Sequence, residues 1–473
     1  MLPDLFARLF GGLFGSPAQR ARIDRAGFET LDRHAPVRDD ADRPSGGETA
    51  APVPEGFVCR EVVLGTDQRV AGHQFLLHEG TRNRIRSRSR RIHHVYAEVL
   101  IRNVAQIDLA RVLGHRSAFL DVPDSFVGHA SIASLPPANT VLVIATLDDG
   151  DVPAAAELLA AVRGARESGY RIAATCTDLL GKLAFLQADA DYATLAADVD
   201  DPLQLKNKVE ELRRSGSKAV LIARGLPSQD DFQLCRALGA ELFQGPFVTS
   251  REDWHDNKLG PNSARIAELL TRLRRDADTA ELVELLKQDG ALALRLMRYI
   301  NSAAFGTHGE ISSIERAVMQ LGRDRLYRWL MLLMYGADRG SARSAAVLEN
   351  ALVRARLMEL LGADRPAAER DMLFLVGLLS LVDVVLEVPM HDAMASLATA
   401  PEIEAAILRG EGPMAGLLAL AVACESGDPQ SLEALARRCA IAPALASRRH
   451  LEAFAWALEV NAAPTAGDGA ERC

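Results

Sequence analysis

Eight short apolar runs recur between Gly56 and Thr249, most of them separated by stretches with helical periodicity. The runs predict strands at 57–63, 69–77, 117–122, 140–145, 170–175, 191–195, 218–223 and 241–247. Helices are expected between most of them, for example over 96–113, 153–168, 203–215 and 229–238. A strand joined to the next by a helix has to run parallel to it, so this alternation demands a largely parallel sheet with helices on its outside. Eight such units suggest a (β/α) barrel, and a doubly wound sheet is the alternative that periodicity leaves open.

Beyond Thr249 the period changes to that of helices. Leu292, Leu296, Tyr299, Ile300 and Ala303 share one helical face, which stops at Phe305-Gly306, where a glycine can take the left-handed conformation that ends a helix. The next helix is expected to open at Ser312, with Glu315 completing a capping box, and to bury Ile314, Ala317, Val318 and Leu321. Pro401 reads as a first-turn proline and Gly410 as a helix stop.

Residues 1–16 place Leu2, Leu5, Phe6, Leu9, Phe10, Leu13 and Phe14 at amphipathic spacing. Asp4 and Arg8 interrupt the segment and no basic stretch precedes it, so it is no signal peptide. Docking on the chain itself or on a sister subunit is the expectation; contact with a membrane surface is the alternative. Residues 30–55, rich in Pro, Gly and charge, read as a flexible linker, and 461–473 as a frayed tail. At 473 residues the chain is long enough for two or three cores. With 54 basic against 63 acidic residues the net charge is −9, which argues against general nucleic-acid binding. Cysteines 59, 176, 235, 424, 439 and 473 form no metal-ligand spacing, so free thiols in a reducing cytoplasm are expected and no structural zinc. No apolar run is long enough to span a membrane as a helix.

Two resemblances sharpen this outline. The wording LRLMRYINSAAFG followed by ISSIERAVMQLGRDRL closely resembles the signature of HDOD domains, over about Leu259 to Leu458. These are all-helical relatives of HD phosphohydrolases that have lost the metal ligands. The pieces DQRVAGHQFLLH, GYRIAA, ADYATL and LIARGLPSQDDFQLCRALGAELFQGPF resemble EAL domains, (β/α)8 barrels that hydrolyse cyclic di-GMP with two divalent cations. The fold class implied is α/β plus all-α: a degenerate EAL-like barrel over 56–250 and an all-helical HDOD domain over 251–460, preceded by the helix and linker of 1–55.

The resemblance also assigns site positions, and most have lost their chemistry. The glutamate and arginine of the first EAL motif fall on Gln74 and His78, and the metal-binding asparagine on Asp121. A later glutamate falls on Val143, the paired aspartates on Thr175 and Cys176, the lysine on Thr194 and the last glutamate on Arg224. Hard cations need several oxygen ligands, so the resemblance implies no metal, no cofactor and no enzyme. His73 and His78 are an odd number of residues apart on one strand, hence on opposite faces, and share no metal. His93 and His94 are expected in solvent. In the helical part, Ser380 and Leu381 stand where HD enzymes have His-Asp after Gly377-Leu378-Leu379, and Asp383 reads as a capping or packing residue. The expectation is a cytoplasmic signalling scaffold linked to cyclic di-GMP, with protein partners taken through the HDOD domain and self-association as a further option. Its partner surface is sought at Asn301, Ser302, Phe305, Ser312 and Ser313, with satisfied helix ends as the bland alternative. The arginines at 82, 84, 86, 88, 90 and 91 (Arg82, Arg84, Arg86, Arg88, Arg90, Arg91) offer anion binding, and an RNA- or nucleotide-binding regulator is the first alternative function, with a working cyclic di-GMP phosphodiesterase ranked last; a solvated loop is the plainer reading of that run.

Overall fold

The structure is a computed structural model. It describes residues 58–77, 90–147, 153–197, 201–252, 254, 257–301, 311–336, 343–397, 399–426 and 429–461. The helix expected over 1–16, the linker, His78, the arginines from 82 to 88, Ser302, Phe305, Gly306 and most of the tail lie outside the described residues.

Strands β1 (Val58–Gly65), β2 (Val70–Leu77), β3 (Ser117–Pro123), β4 (Thr140–Ala145), β5 (Arg171–Thr175), β6 (Tyr192–Ala196), β7 (Val220–Arg224) and β8 (Leu242–Gln244) close in chain order into a barrel. The closed barrel, and not the doubly wound sheet, is therefore the fold. It is not wholly parallel: β1 runs antiparallel to both β2 and β8, while the pairs from β2 to β8 are parallel. A tight turn joins β1 to β2 with no helix between, and that direct return forces the antiparallel pairing.

The centre of the barrel is filled by Val63, Phe119, Val141, Val143, Ala173 and Ile222, packed with Tyr192 and Leu242. Side chains alternate across a strand, so this set places Glu61, Gln74, Asp121, Thr175, Thr194, Arg224 and Gln244 on the same inner face. β8 is shorter than the apolar run suggested. After Gln244 the chain turns at Gly245, whose φ of 149° and 2.3 Å approach of a notional Cβ to the Leu226 nitrogen admit only glycine. Pro246 then supplies no ladder N–H and opens a 3-10 turn.

The described helices around the barrel are α1 (Arg90–Ala105), α2 (Leu109–Leu113), α3 (Ala155–Glu167), α4 (Cys176–Leu180), α5 (Pro202–Arg214) and α6 (Gln229–Ala237). The single helix expected over 96–113 is two, because the Asp108 carboxylate caps a new start by accepting from the Arg111 amide. The helical part continues with α7 (Pro261–Arg274), α8 (Thr279–Lys287), α9 (Gly290–Ile300), α10 (Ile314–Leu321), α11 (Arg323–Met334), α12 (Ser344–Leu361) and α13 (Ala367–Leu379). It ends with α14 (Val382–Leu386), α15 (Met390–Leu397), α16 (Pro401–Glu404), α17 (Ala415–Ser426), α18 (Pro429–Arg438) and α19 (Pro443–Asn461). Pro401 occupies the first turn of α16, and Gly410, left-handed at φ 66°, ends the π-turn that follows.

The described residues fall into two compact units, one drawn from Glu55–Asp276 with Leu330–Ala462, the other from Ala277–Trp329. Barrel and later helices thus share a unit, across the division expected between 250 and 251. In it α12 is buried on nearly every side and packs against α13, α17 and α19. In the smaller unit the expected stripe is buried at Leu292, Leu296, Tyr299 and Ile300, with the Tyr299 ring stacked 6.1 Å from Trp329. Its second helix is capped by Ser313, whose hydroxyl accepts from the Arg316 amide at 3.2 Å, and not by Ser312. Adjacent serines offer the same cap, and the burial of Ile311 fixes the chain so that the second one takes the position.

Candidate functional site

Three of the positions assigned by resemblance converge inside the barrel. Arg224 on β7 donates one guanidinium nitrogen to Asp121 Oδ1 at 3.2 Å and the other to Gln74 Oε1. Gln74 Nε2 donates in turn to Asp121 Oδ1 at 3.1 Å. β7 is separated from β3 by three strands, so the bridge from Arg224 to Asp121 crosses the lumen. The one carboxylate that survives from the ligand set is paired with a guanidinium, and Gln74 is buried between them. A divalent cation at this point would have to displace a charge of its own sign.

The other positions are inert or otherwise engaged. Val143, opposite Asp121 in register, belongs to the apolar centre. Thr175 and Thr194 are register partners, and Thr194 is buried. The Thr175 hydroxyl donates to Asp178 Oδ2 at 2.8 Å and caps α4, while Thr146 donates to Asp178 Oδ1 at 2.9 Å. Cys176, the first residue of α4, is buried. Sequence reasoning missed two carboxylates here, Asp178 and Glu61; Gln244 Nε2 donates to the latter. Each sits with neutral donors, and among the described residues no group of three or more His, Cys, Asp or Glu is placed to hold a metal ion.

The helical part has a comparable arrangement at Ser380. Arg354 forks onto both oxygens of Glu425 at 2.8 Å and gives a third hydrogen bond to Ser380 Oγ at 3.1 Å. Ser380 Oγ donates to the Gly377 carbonyl at 2.7 Å. Asp383, 1% exposed at its side chain, is ion-paired with Arg251 at 2.5 Å, so it is a packing residue and caps nothing. A fixed guanidinium therefore touches the position where the resemblance puts the lost histidine.

A third cluster was not anticipated at all. Glu349 on α12, fully buried, accepts from Arg116 at 2.8 Å, from Arg60 at 3.4 Å and from His73 Nε2 at 2.7 Å. Arg60 also donates to Asn350 at 3.0 Å and lies 4.6 Å over the Phe454 ring of α19, and the Val58 amide reaches Ser447 Oγ at 3.3 Å. Burial would push the Glu349 carboxyl up, but His73, Arg116 and Arg60 outweigh it and hold it at about 2. Burial pushes the His73 pKa down, against the pull of the Glu349 carboxylate beside its Nε2. The signal that could have revealed this cluster is the pair of charged residues Glu349 and Arg354, five apart in a helix whose remaining residues are mostly apolar.

The remaining expectations divide. Asn301 Nδ2 donates to the Ile311 carbonyl at 2.7 Å, and the Ile311 amide donates to Asn301 Oδ1 at 2.8 Å. That clamp fastens the two ends of the joint, so Asn301 fits the bland alternative; Ser313 is a cap and Ser312 is exposed. Of the arginine run, Arg90 is bound to Asp124 and Ser125, and Arg91 is exposed. His94 is not in solvent: it is half-buried, bonded to Ser125 Oγ at 2.7 Å and packed edge-on against Phe126. Among the described residues no helix is long and apolar enough to cross a membrane.

A closed eight-stranded barrel followed by a helical region defines a two-part protein, and the helical part is an HDOD domain, matched by that family over residues 261–406. The chain is 22% identical over 411 residues to the Vibrio cholerae protein named cyclic di-GMP phosphodiesterase CdgJ, covering 86% of this chain and 93% of that one. It is 21% identical over 411 residues to Bacillus subtilis YuxH, covering 85% and 97%. The Bacillus subtilis YkuI protein, solved with an EAL domain in complex with cyclic di-GMP and calcium, is matched at 14% identity and a TM-score of 0.34, over 52% of this chain and 74% of that one.

Proposed function

We propose that this protein is a signalling scaffold linked to cyclic di-GMP, in which the barrel has lost two-metal hydrolysis and the HDOD domain engages a protein partner. The link to the dinucleotide rests on the similarity to CdgJ over most of both chains. The observation that carries the loss of hydrolysis is the Arg224–Asp121–Gln74 closure of the lumen. Two-metal chemistry holds cations roughly 3.5–4 Å apart on several anionic ligands, to clamp attacking and leaving oxygens together. Here one carboxylate is neutralised by a guanidinium, and Val143 and Thr175 supply no charge at the neighbouring strand ends. The arginine run gives less support to the nucleotide-binding alternative, because Arg90 is held by Asp124.

Incubation with cyclic di-GMP and Mg²⁺ or Mn²⁺, followed by product separation, tests the first half. No linear product is expected from the wild-type chain, nor from Gln74→Glu, which restores one ligand among several. Metal-dependent product from the wild-type chain, lost in Asp121→Ala, would sink the reading.

A further inference from the structure

The helix α17 carries more apolar surface than its neighbours cover. Its run AGLLALAVAC includes no charged side chain and is apolar on every side. A helix of that kind is normally buried all round. Leu417, Leu420, Ala421 and Cys424 are buried, and α17 packs on α12, α19 and β1. Ala415, Leu418, Ala419 and Val422 fall at i, i+3, i+4 and i+7 and so form the opposite stripe. The first three are half-buried and Val422 is 37% exposed. The π-turn packed beside α17 presents a further exposed apolar side chain, Leu408.

The described chain begins beside this helix. β1 packs against α17, and the Val58 amide at the head of β1 is bonded to Ser447 of α19, a further neighbour of α17. The residues before Val58 therefore leave the described part next to α17. Among them, outside the described residues, 1–16 hold Leu2, Leu5, Phe6, Leu9, Phe10, Leu13 and Phe14 at amphipathic spacing. We propose that residues 1–16 dock as a helix along the outer stripe of α17 in the same chain. As a coil, a chain the length of residues 17–57 spans roughly 35 Å. That is well over the ~18 Å length of a helix like α17, so the segment reaches the whole stripe. Tethering over such a span sets an effective concentration on the order of millimolar, which favours the chain's own segment over that of a second copy. The side-chain charges of Asp4 and Arg8 cancel, so no positive field draws the segment to an anionic lipid surface. Docking would take apolar area out of water on both helices, which a segment weakened by Gly11 and Gly12 needs in order to stay helical. The proposal involves neither metal chemistry nor cyclic di-GMP, and it stands or falls apart from the scaffold reading.

The competing explanation is that the stripe is ordinary apolar surface, which soluble proteins carry in quantity. The full-length chain with the photo-cross-linker p-benzoylphenylalanine in place of Phe10 is irradiated, and the products are sized and mapped by peptide mass. The expected result is a cross-link within one chain to Leu408, Leu418 or Val422. It should be lost in Val422→Glu, a change at an exposed position that leaves the melting temperature as it was. In the chain without the cross-linker, trypsin should cut after Arg8 at least about tenfold faster in Val422→Glu than in wild type, because cleavage follows the undocked population. A cross-linked product of twice the chain mass would assign the stripe to a second copy and overturn the proposal. Cross-links only to other parts of the chain, or none, overturn it too, as does equal cleavage after Arg8 in both proteins. So does flotation with vesicles of phosphatidylcholine and phosphatidylglycerol that is lost on deleting residues 1–16. The cross-link map of the chain with Val422 intact decides the matter even where Val422→Glu fails to fold.

Discussion

A methyl group added at Gly377 would lie 2.6 Å from both the Cα and the amide nitrogen of Ala355, closer than real carbon contacts allow. The glycine lets α13 lie against α12 backbone to backbone, with no flexible side chain to move aside. Gly377→Ala is therefore expected to destabilise the protein by about 1–3 kcal/mol through overpacking, read as a lower urea midpoint at unchanged slope. An unchanged midpoint would show that the helices separate without penalty. At this scale the sequence was informative about direction and silent about partners. The resemblance singled out Gln74, Asp121, Val143, Thr175, Thr194 and Arg224 as site positions, and the register of the strands puts them on the barrel's inner side. That Arg224 reaches across to Asp121 was not readable, because residues 103 apart meet only when the sheet closes.

The helix α12 is the element on which barrel and helical part meet. Glu349 receives two arginines and a histidine from β1, β2 and the start of β3, and removing it strands buried positive charge. Glu349→Ala is expected to cost about 3–5 kcal/mol, the scale for breaking a buried pair from one side, measured by denaturant unfolding. A cost under about 1 kcal/mol would mean that solvent screens the cluster. The same element gives the protein a defined acid response. His450, buried on α19, is held down to about 3 by burial and by Arg60, so unfolding lets it bind a proton at any pH between about 3 and its ordinary 6.5. Glu349, held at about 2, likewise gains a proton on unfolding between its ordinary 4.5 and 2. Both groups have depressed values in the fold, so their contribution is complete above their unfolded pKa and is lost as pH falls. Stability should decline from near pH 6.5 downwards and more steeply below about 4.5. In Glu349→Gln the steeper lower limb should flatten.

For the whole molecule, the contacts of Glu349, Ser447 and Phe454 with β1 and β2 imply that the barrel and the helices after Leu330 unfold as one body. A chain cut after Ser250 would leave Arg60 and His73 uncovered on the barrel's outer wall, and is expected to give no cooperative melt. The intact chain should show matching hydrogen-exchange protection in β2 and α12. A stable, cooperatively melting 1–250 fragment would refute that coupling. Much of the plan was nonetheless written in the chain. The eight apolar runs and their helical spacers set the succession of strands and helices along the chain, and the period of Leu292, Leu296, Tyr299 and Ile300 set a helix face, because these depend on neighbours within a few residues. The HDOD wording located the helical domain for the same reason, since its signature is local and continuous. Closure of the barrel into a lumen shut by Arg224, the antiparallel start at β1, the clamp of Asn301 on Ile311, the seating of His94 on Ser125, and the burial of Glu349 under the barrel wall belong to tertiary structure alone. Each joins groups remote in sequence or fixes a choice among equivalent neighbours. Such pairings follow from where the packed elements bring the chain together, which no local pattern of residues encodes.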